Sequence, residues 1–192
     1  FVLLLFISQA YSLIGIGGYG NFDLIKYPSG TSGDITSSGI QYSGFDNAVG
    51  GGLFVYIDAI PIIDLQLDLE AVGNLYQFTP YVSGIALNTD EVPWGRTSMY
   101  ITGRKKIIGL SIPLLAKVQL YGGIGFNNHT VVPVLTKDII DNAFSDANDL
   151  ATALEQSTSN DDSVEQLAKF MRDNTIKTSG IHFQAGIQGK LL

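Results

Sequence analysis

The chain has 192 residues, 22 of them glycine, with no cysteine, 15% charged residues and a net charge of −7; its mean hydropathy is slightly positive. The lack of thiols excludes a disulfide framework and thiolate chemistry, and the acidic balance argues against nucleic acid, whose phosphates need a basic face. Charged residues fall short of the ~25% typical of a soluble domain, yet no apolar run reaches the ~20 residues of a spanning helix. That combination fits a membrane β-barrel, whose strands need only about 9–11 residues each.

The chain opens with the apolar block Phe1-Val2-Leu3-Leu4-Leu5-Phe6-Ile7, then Ser8-Gln9-Ala10 or Ala10-Tyr11-Ser12, each with small residues at the first and third positions. An apolar run before a small-residue site is the pattern of a secretion signal and its cleavage point. Residues 1–12 therefore read as a signal-peptide remnant clipped at its front, and 13–192 as one domain.

The first predicted strand alternates Ile14, Ile16, Gly18, Gly20, Phe22 and Leu24 with Gly15, Gly17, Tyr19, Asn21 and Asp23. The second carries the apolar row Leu53, Val55, Ile57 and Ala59. The third is the clearest: Ile63, Leu65, Leu67, Leu69, Ala71, Gly73 and Leu75 oppose Asp64, Gln66, Asp68, Glu70, Val72 and Asn74. A period of two places these sets on opposite faces of a strand. The fourth strand has Ile108, Leu110, Ile112, Leu114 and Ala116; the fifth opposes Val118, Leu120, Gly122, Ile124 and Phe126 to Gln119, Tyr121, Gly123, Gly125 and Asn127; the sixth opposes Ile181, Phe183, Ala185 and Ile187 to His182, Gln184, Gly186 and Gln188. Apolar parity slips between Met99–Gly103 and Ile108–Leu114, which predicts a bulge near Arg104-Lys105-Lys106. Pro113 marks a bulge or the end of its strand.

The links alternate in length. Those at about 26–49, 80–97 and 131–178 are long; those around Ile60-Pro61-Ile62 and near Lys117 are tight. Short turns at one end and long loops at the other are the rhythm of outer-membrane barrels. The last link contains Ile140, Ala143, Phe144, Ala147, Leu150, Ala151 and Leu154, then Val164, Leu167, Ala168 and Met171, at helical spacing. It reads as a helical hairpin, about 137–174, in an external loop, its apolar stripe packed on its partner helix or on the barrel rim.

Ile107-Ile108-Gly109-Leu110-Ser111-Ile112-Pro113-Leu114-Leu115-Ala116-Lys117 followed by Leu120-Tyr121-Gly122-Gly123-Ile124-Gly125, and the opening Gly15-Ile16-Gly17-Gly18-Tyr19-Gly20, resemble strands of the small outer-membrane β-barrel domain family. The resemblance implies an all-β, antiparallel up-and-down transmembrane barrel of eight or more strands, six of which are visible. It also implies outer-membrane lipid as surroundings, in a Gram-negative-type bacterium, and assembly by the barrel-insertion machinery. Two departures, the strand count and an ending on Leu191-Leu192 where such barrels end on an aromatic residue, point to strands missing beyond the C-terminus.

If the apolar rows face lipid, the lumen is lined by Asp64, Gln66, Asp68, Glu70, Lys117, Gln119, His182, Gln184 and Gln188. Lys117 is expected near Asp64 or Gln66, because an unpaired charge in a narrow interior is costly. The rival reading of that lining is a cation-lined pathway or a proton-sensitive plug. Only two histidines are present, His129 and His182. His129-Thr130 lacks a fixed partner carboxylate, so no catalytic residue, cofactor or metal is assigned. The acids Asp138, Asp141, Asp146, Asp149, Asp161 and Asp162 lack the spacing of a calcium loop and read as a solvated surface. Aromatics such as Phe22, Tyr27, Tyr76, Phe78 and Trp94 are expected at membrane boundaries. The expected role is non-enzymatic: a surface, adhesive or envelope-structural barrel working through its loops, with an extracellular partner. The alternatives are a narrow solute channel and a secreted barrel holding an apolar ligand.

Overall fold

The computed structural model describes residues 14–57, 63–87, 90–112, 116–144, 152 and 169–191. The predicted signal remnant, the turn at Ile60-Pro61-Ile62 and Pro113 lie outside them. Six long strands form an antiparallel up-and-down sheet in the order β1-β4-β5-β7-β8-β9. They are β1 (Ile14–Tyr27), β4 (Phe45–Ile57), β5 (Asp64–Val82), β7 (Asp90–Ile112), β8 (Ala116–Val131) and β9 (Ile176–Leu191). Each pairs with the next strand of this series in the chain, so the meander has no crossover.

The sheet is amphipathic, and its apolar face is the exposed one. In β5, Leu65, Leu67 and Leu69 are 41–55% exposed, whereas Gln66, Asp68 and Glu70 are 5–8% exposed. Ile16, Leu24, Leu53, Ile101, Phe126, Phe183 and Ile187 extend the same outward face across the other strands. The polar parity lies on the inside of a strongly curled sheet. Arg96 of β7 reaches Asp23 of β1 although β4 and β5 lie between them.

The parity slip has a structural cause. The β7–β8 register shifts between Lys106 and Ile108, where Ile107 and Ile108 are both exposed. One extra residue there brings even-numbered Ile108 to the outer face that odd-numbered Ile101 holds before it, as a bulge does.

Two of the predicted links are corrected. The link predicted over 80–97 is mostly strand: β5 runs on to Val82, β7 begins at Asp90, and the two pair as far as Phe78↔Asp90. Ser83 and Gly84 (φ 51° and 77°) form a tight turn into the two-residue β6 (Ile85–Ala86), as a hairpin turn with both central residues left-handed requires. Pro93 is tolerated because β8 pairing begins only at Arg96. There β7 has β5 alone as neighbour, and a missing N–H on an edge costs little. The first link folds as the hairpin β2 (Gly30–Asp34) and β3 (Ser38–Tyr42), with β3 pairing to the far end of β5.

The apolar core sits at that far end, inside the curl. Ile40, Phe45, Val72, Tyr76, Phe78 and Trp94 pack there against Val134, Leu135, Ile140, Ala143 and Phe144. Helix α1 (Lys137–Ala143) starts at Thr136, whose side chain accepts a hydrogen bond from the Ile139 N–H, an ordinary N-cap. It presents Ile140 and Ala143 to the core, and Phe170 and Met171 pack against the same cluster. Thus the loop's apolar stripe, where described, packs on the sheet. Ala147, Leu150, Ala151, Leu154, Val164, Leu167 and Ala168 lie outside the described residues. Tyr76, Phe78 and Trp94, expected at a membrane boundary, are buried here in the end of the curl, where the Trp94 and Phe45 rings are tilted with centroids 5.1 Å apart.

Candidate functional site

The concave face is a set of cross-strand rows fixed by register. The first row runs Asp64, Arg104, Gly123, Gln184; the next Tyr56, Gln66, Thr102, Gly125, His182. Then come Phe54, Asp68, Tyr100, Asn127, and beyond them Gly52, Glu70, Ser98, His129. Glycines alternate with large side chains for a steric reason. A Cβ at Gly17 would meet the Phe54 ring at 2.5 Å, and one at Gly125 would meet His182 at 2.7 Å and the Ile101 carbonyl more closely still. The rings can lie flat on the sheet only where the neighbour has no side chain.

Two arginines organise the charges. Arg96 pairs with Asp23 and, at 3.1 Å, with Glu70. Glu70 also accepts from Asn21 Nδ2 at 2.7 Å, the Tyr100 hydroxyl at 3.1 Å and the Tyr19 hydroxyl at 3.5 Å. Arg104 donates from Nη1 to Gln66 Oε1 at 2.7 Å and lies 3.7 Å from Asp64 through Nε. Its guanidinium sits between the Tyr56 and Tyr121 rings, 4.7 and 5.1 Å from their centroids, an attractive stacking geometry. Gln66 Nε2 donates to Asp68 Oδ1 at 2.6 Å. These groups surround a cavity of about 510 Å³ lined by Tyr19, Phe54, Asp68, Glu70, Tyr100 and Arg104 among others.

Both histidines pair with hydroxyls: His129 Nδ1 with Ser98 Oγ and His182 Nε2 with Thr102 Oγ1, each at 2.8 Å. Tyr100 meets both imidazoles edge-on, at 5.7 and 5.2 Å. Neither imidazole bonds a carboxylate among the described residues, so neither hydroxyl has the oriented base of a triad.

Of the residues expected on this face, Gln66, Asp68 and Glu70 are buried there and Asp64, Gln119, His182 and Gln184 are half-buried. Gln188 stands opposite Gln119 in the register, and its side chain lies outside the described residues, as does that of Lys117. Lys117 is not the partner of Asp64. It opposes Ser111, whereas Asp64 opposes Arg104; the separation of seven residues along β7 is about 20 Å at the rise of a strand. Arg104 and Arg96 take the role expected of Lys117. Their signal was the alternation of Arg96, Ser98, Tyr100, Thr102 and Arg104 with Gly95, Thr97, Met99, Ile101 and Gly103; reading 80–97 as a link hid Arg96, and Arg104 was assigned only to the bulge. Comparison with family models, with curated proteins and with solved structures finds no match to this chain.

Proposed function

We propose that this protein is a non-enzymatic β-barrel of the outer membrane, with its convex face in lipid and a surface or envelope-structural role carried at the long-loop end. One observation carries the reading: over Ile14–Leu24, Leu53–Ile57, Ile63–Leu69, Ile124–Phe126 and Ile181–Ile187 the large exposed side chains are apolar, while the sheltered parity of β5 and β7 holds Asp68, Glu70 and Arg104. In water that arrangement leaves a continuous apolar surface unburied, at about 25 cal/mol per Å²; in a bilayer it is the favourable one. A soluble barrel around an apolar ligand would have the opposite polarity, with Leu67 inside and Asp68 outside. In this reading the strand edges at β1 and β9 are paired in the assembled barrel, since lipid cannot satisfy open backbone groups. The apolar core that closes one end of the curl favours a structural role over an open channel.

The absence of native cysteine makes the test clean. Leu67→Cys, in the protein in native membranes, is expected to react with a lipid-phase label and to resist a membrane-impermeant maleimide, and the full-length product to fractionate with membranes. Recovery in the soluble fraction, or labelling of Leu67→Cys by the impermeant reagent as fast as a loop cysteine at Ser29, would overturn the reading. Planar-bilayer recordings are expected to be silent; steady conductance would instead support a channel.

A further inference from the structure

The charges on the concave face do not match one to one. Arg96 engages Asp23 and Glu70, and Arg104 engages Asp64 and Gln66. Asp68 is left with no cation in contact among the described residues, and its one hydrogen bond there comes from the Gln66 amide. Arg104 and His182 act on it only at longer range. Asp68 is nonetheless only 6% exposed, on the wall of the cavity of about 510 Å³. Withdrawing a carboxylate from water without a counter-charge is expensive. Here it is withdrawn onto the surface of a space large enough for a small molecule.

The neighbours of Asp68 are aromatic on both sides. In the register it is flanked by Phe54 on β4 and Tyr100 on β7. Tyr19 packs on Phe54 with ring centroids 6.3 Å apart, and His182 stands edge-on to Tyr100. All five residues line the cavity. A carboxylate between aromatic faces has one complementary ligand chemistry, because ring faces attract cations and accept apolar groups. An anion finds no equivalent: Arg104 is already held by Gln66 and Asp64 between two rings.

We propose that this cavity binds a small organic cation, a primary ammonium on a short apolar body. The ammonium donates to Asp68, and the body lies against Phe54, Tyr19 and Tyr100. The primary amine is favoured over a quaternary one because Asp68 offers acceptors that only an N–H can use. The inference rests on the concave face alone and does not depend on what the convex face meets.

The test is calorimetric titration of the purified full-length protein, in detergent if it is membrane-derived, with n-butylammonium, 1-butanol and butyrate. Butylammonium is expected to saturate one site, and the neutral and anionic isosteres to give no saturable heat. Asp68→Asn is expected to weaken butylammonium binding about tenfold or more, the loss of a charge-assisted contact. Phe54→Leu, which leaves every charge in place, is expected to weaken it about threefold, and it decides the matter if Asp68→Asn does not fold. Unchanged affinity in the folded Asp68→Asn or in Phe54→Leu, equal binding of 1-butanol, or displacement by potassium at equal concentration would each overturn the proposal. A protein recovered as soluble that still binds butylammonium would overturn the membrane reading and leave this one standing.

Discussion

Replacing Arg96 by Met removes the cation that, among the described residues, contacts both Asp23 and Glu70, while keeping an unbranched side chain. The Arg96 and Asp23 side chains are each 16% exposed and that of Glu70 is 5% exposed. Breaking a buried pair from one side costs roughly 3–5 kcal/mol, because a charge is left uncompensated. Glu70 keeps three neutral donors in Tyr19, Asn21 and Tyr100, and the pair is not fully sheltered. The lower end therefore applies, about 3 kcal/mol. Equilibrium urea unfolding in detergent or vesicles, followed through the single tryptophan, Trp94, should show a lower midpoint at unchanged slope. Adding Glu70→Gln to Arg96→Met should recover about half of the loss, since an amide needs no counter-charge. Lys137→Met is the control: its pair with Asp141 has side chains 25% and 41% exposed and is worth at most about 1 kcal/mol. If Arg96→Met costs no more than Lys137→Met, the claim that this network holds β7 against β1 is wrong.

Three further outcomes follow from the same geometry. Leu67→Arg on the outward row should cost about 2–4 kcal/mol if the convex face meets hydrocarbon but less than about 0.5 kcal/mol if it meets water; folding titrations into lipid vesicles read the difference. Ile140, 1% exposed beneath α1, anchors the cap, so Ile140→Ala should remove about 2–5 kcal/mol and raise amide exchange over 132–144 before the strands respond. Asp34, in the β2–β3 turn outside the six long strands, accepts from the Thr36 hydroxyl and N–H, which hold its carboxyl below its ordinary value of 3.8. Because the folded-state value is the lower one, the turn gains stability above pH 3.8 and loses it as pH falls through the folded value. An NMR titration of Asp34 in the wild type and in Thr36→Val checks the sign: the variant must titrate at higher pH.

The third strand was legible because its alternation is uninterrupted over a dozen residues, and with it the buried trio Gln66, Asp68 and Glu70. The register slip near Lys106 was legible for the same reason, since a parity change within one strand has few structural causes. The first half of β7 was not legible. Pro93 and Trp94 belong to loops by local preference, and only the edge position of that stretch, a property of the neighbouring strands, makes them compatible with a strand. With it went Arg96, and Arg104 was read only as part of a bulge, so the sequence pointed to Lys117 for a role that register assigns elsewhere. The Phe54–Asp68–Tyr100 row is likewise invisible to periodicity. It is a perpendicular to three strands, and each strand read alone shows one residue of it. The closing of the curl by α1 depended on which surface met the apolar stripe, and helical spacing alone leaves that open.

The link from Val131 to Ile176 can be read as a matter of chain statistics. All sixteen residues of β8 pair with β9, so the ladder enforces its own alignment whatever lies between the two strands. The entropy of closing a loop grows only with the logarithm of its length, about 0.6 kcal/mol per doubling. Against a sixteen-residue ladder that increment is small. The ladder can therefore accept changes of length in the stretch between α1 and Phe170 at little entropic cost, while Phe170 and Met171, packed on the core, hold the end of the link. Changes of length there leave the interior rows, which are set by the strand registers, in place.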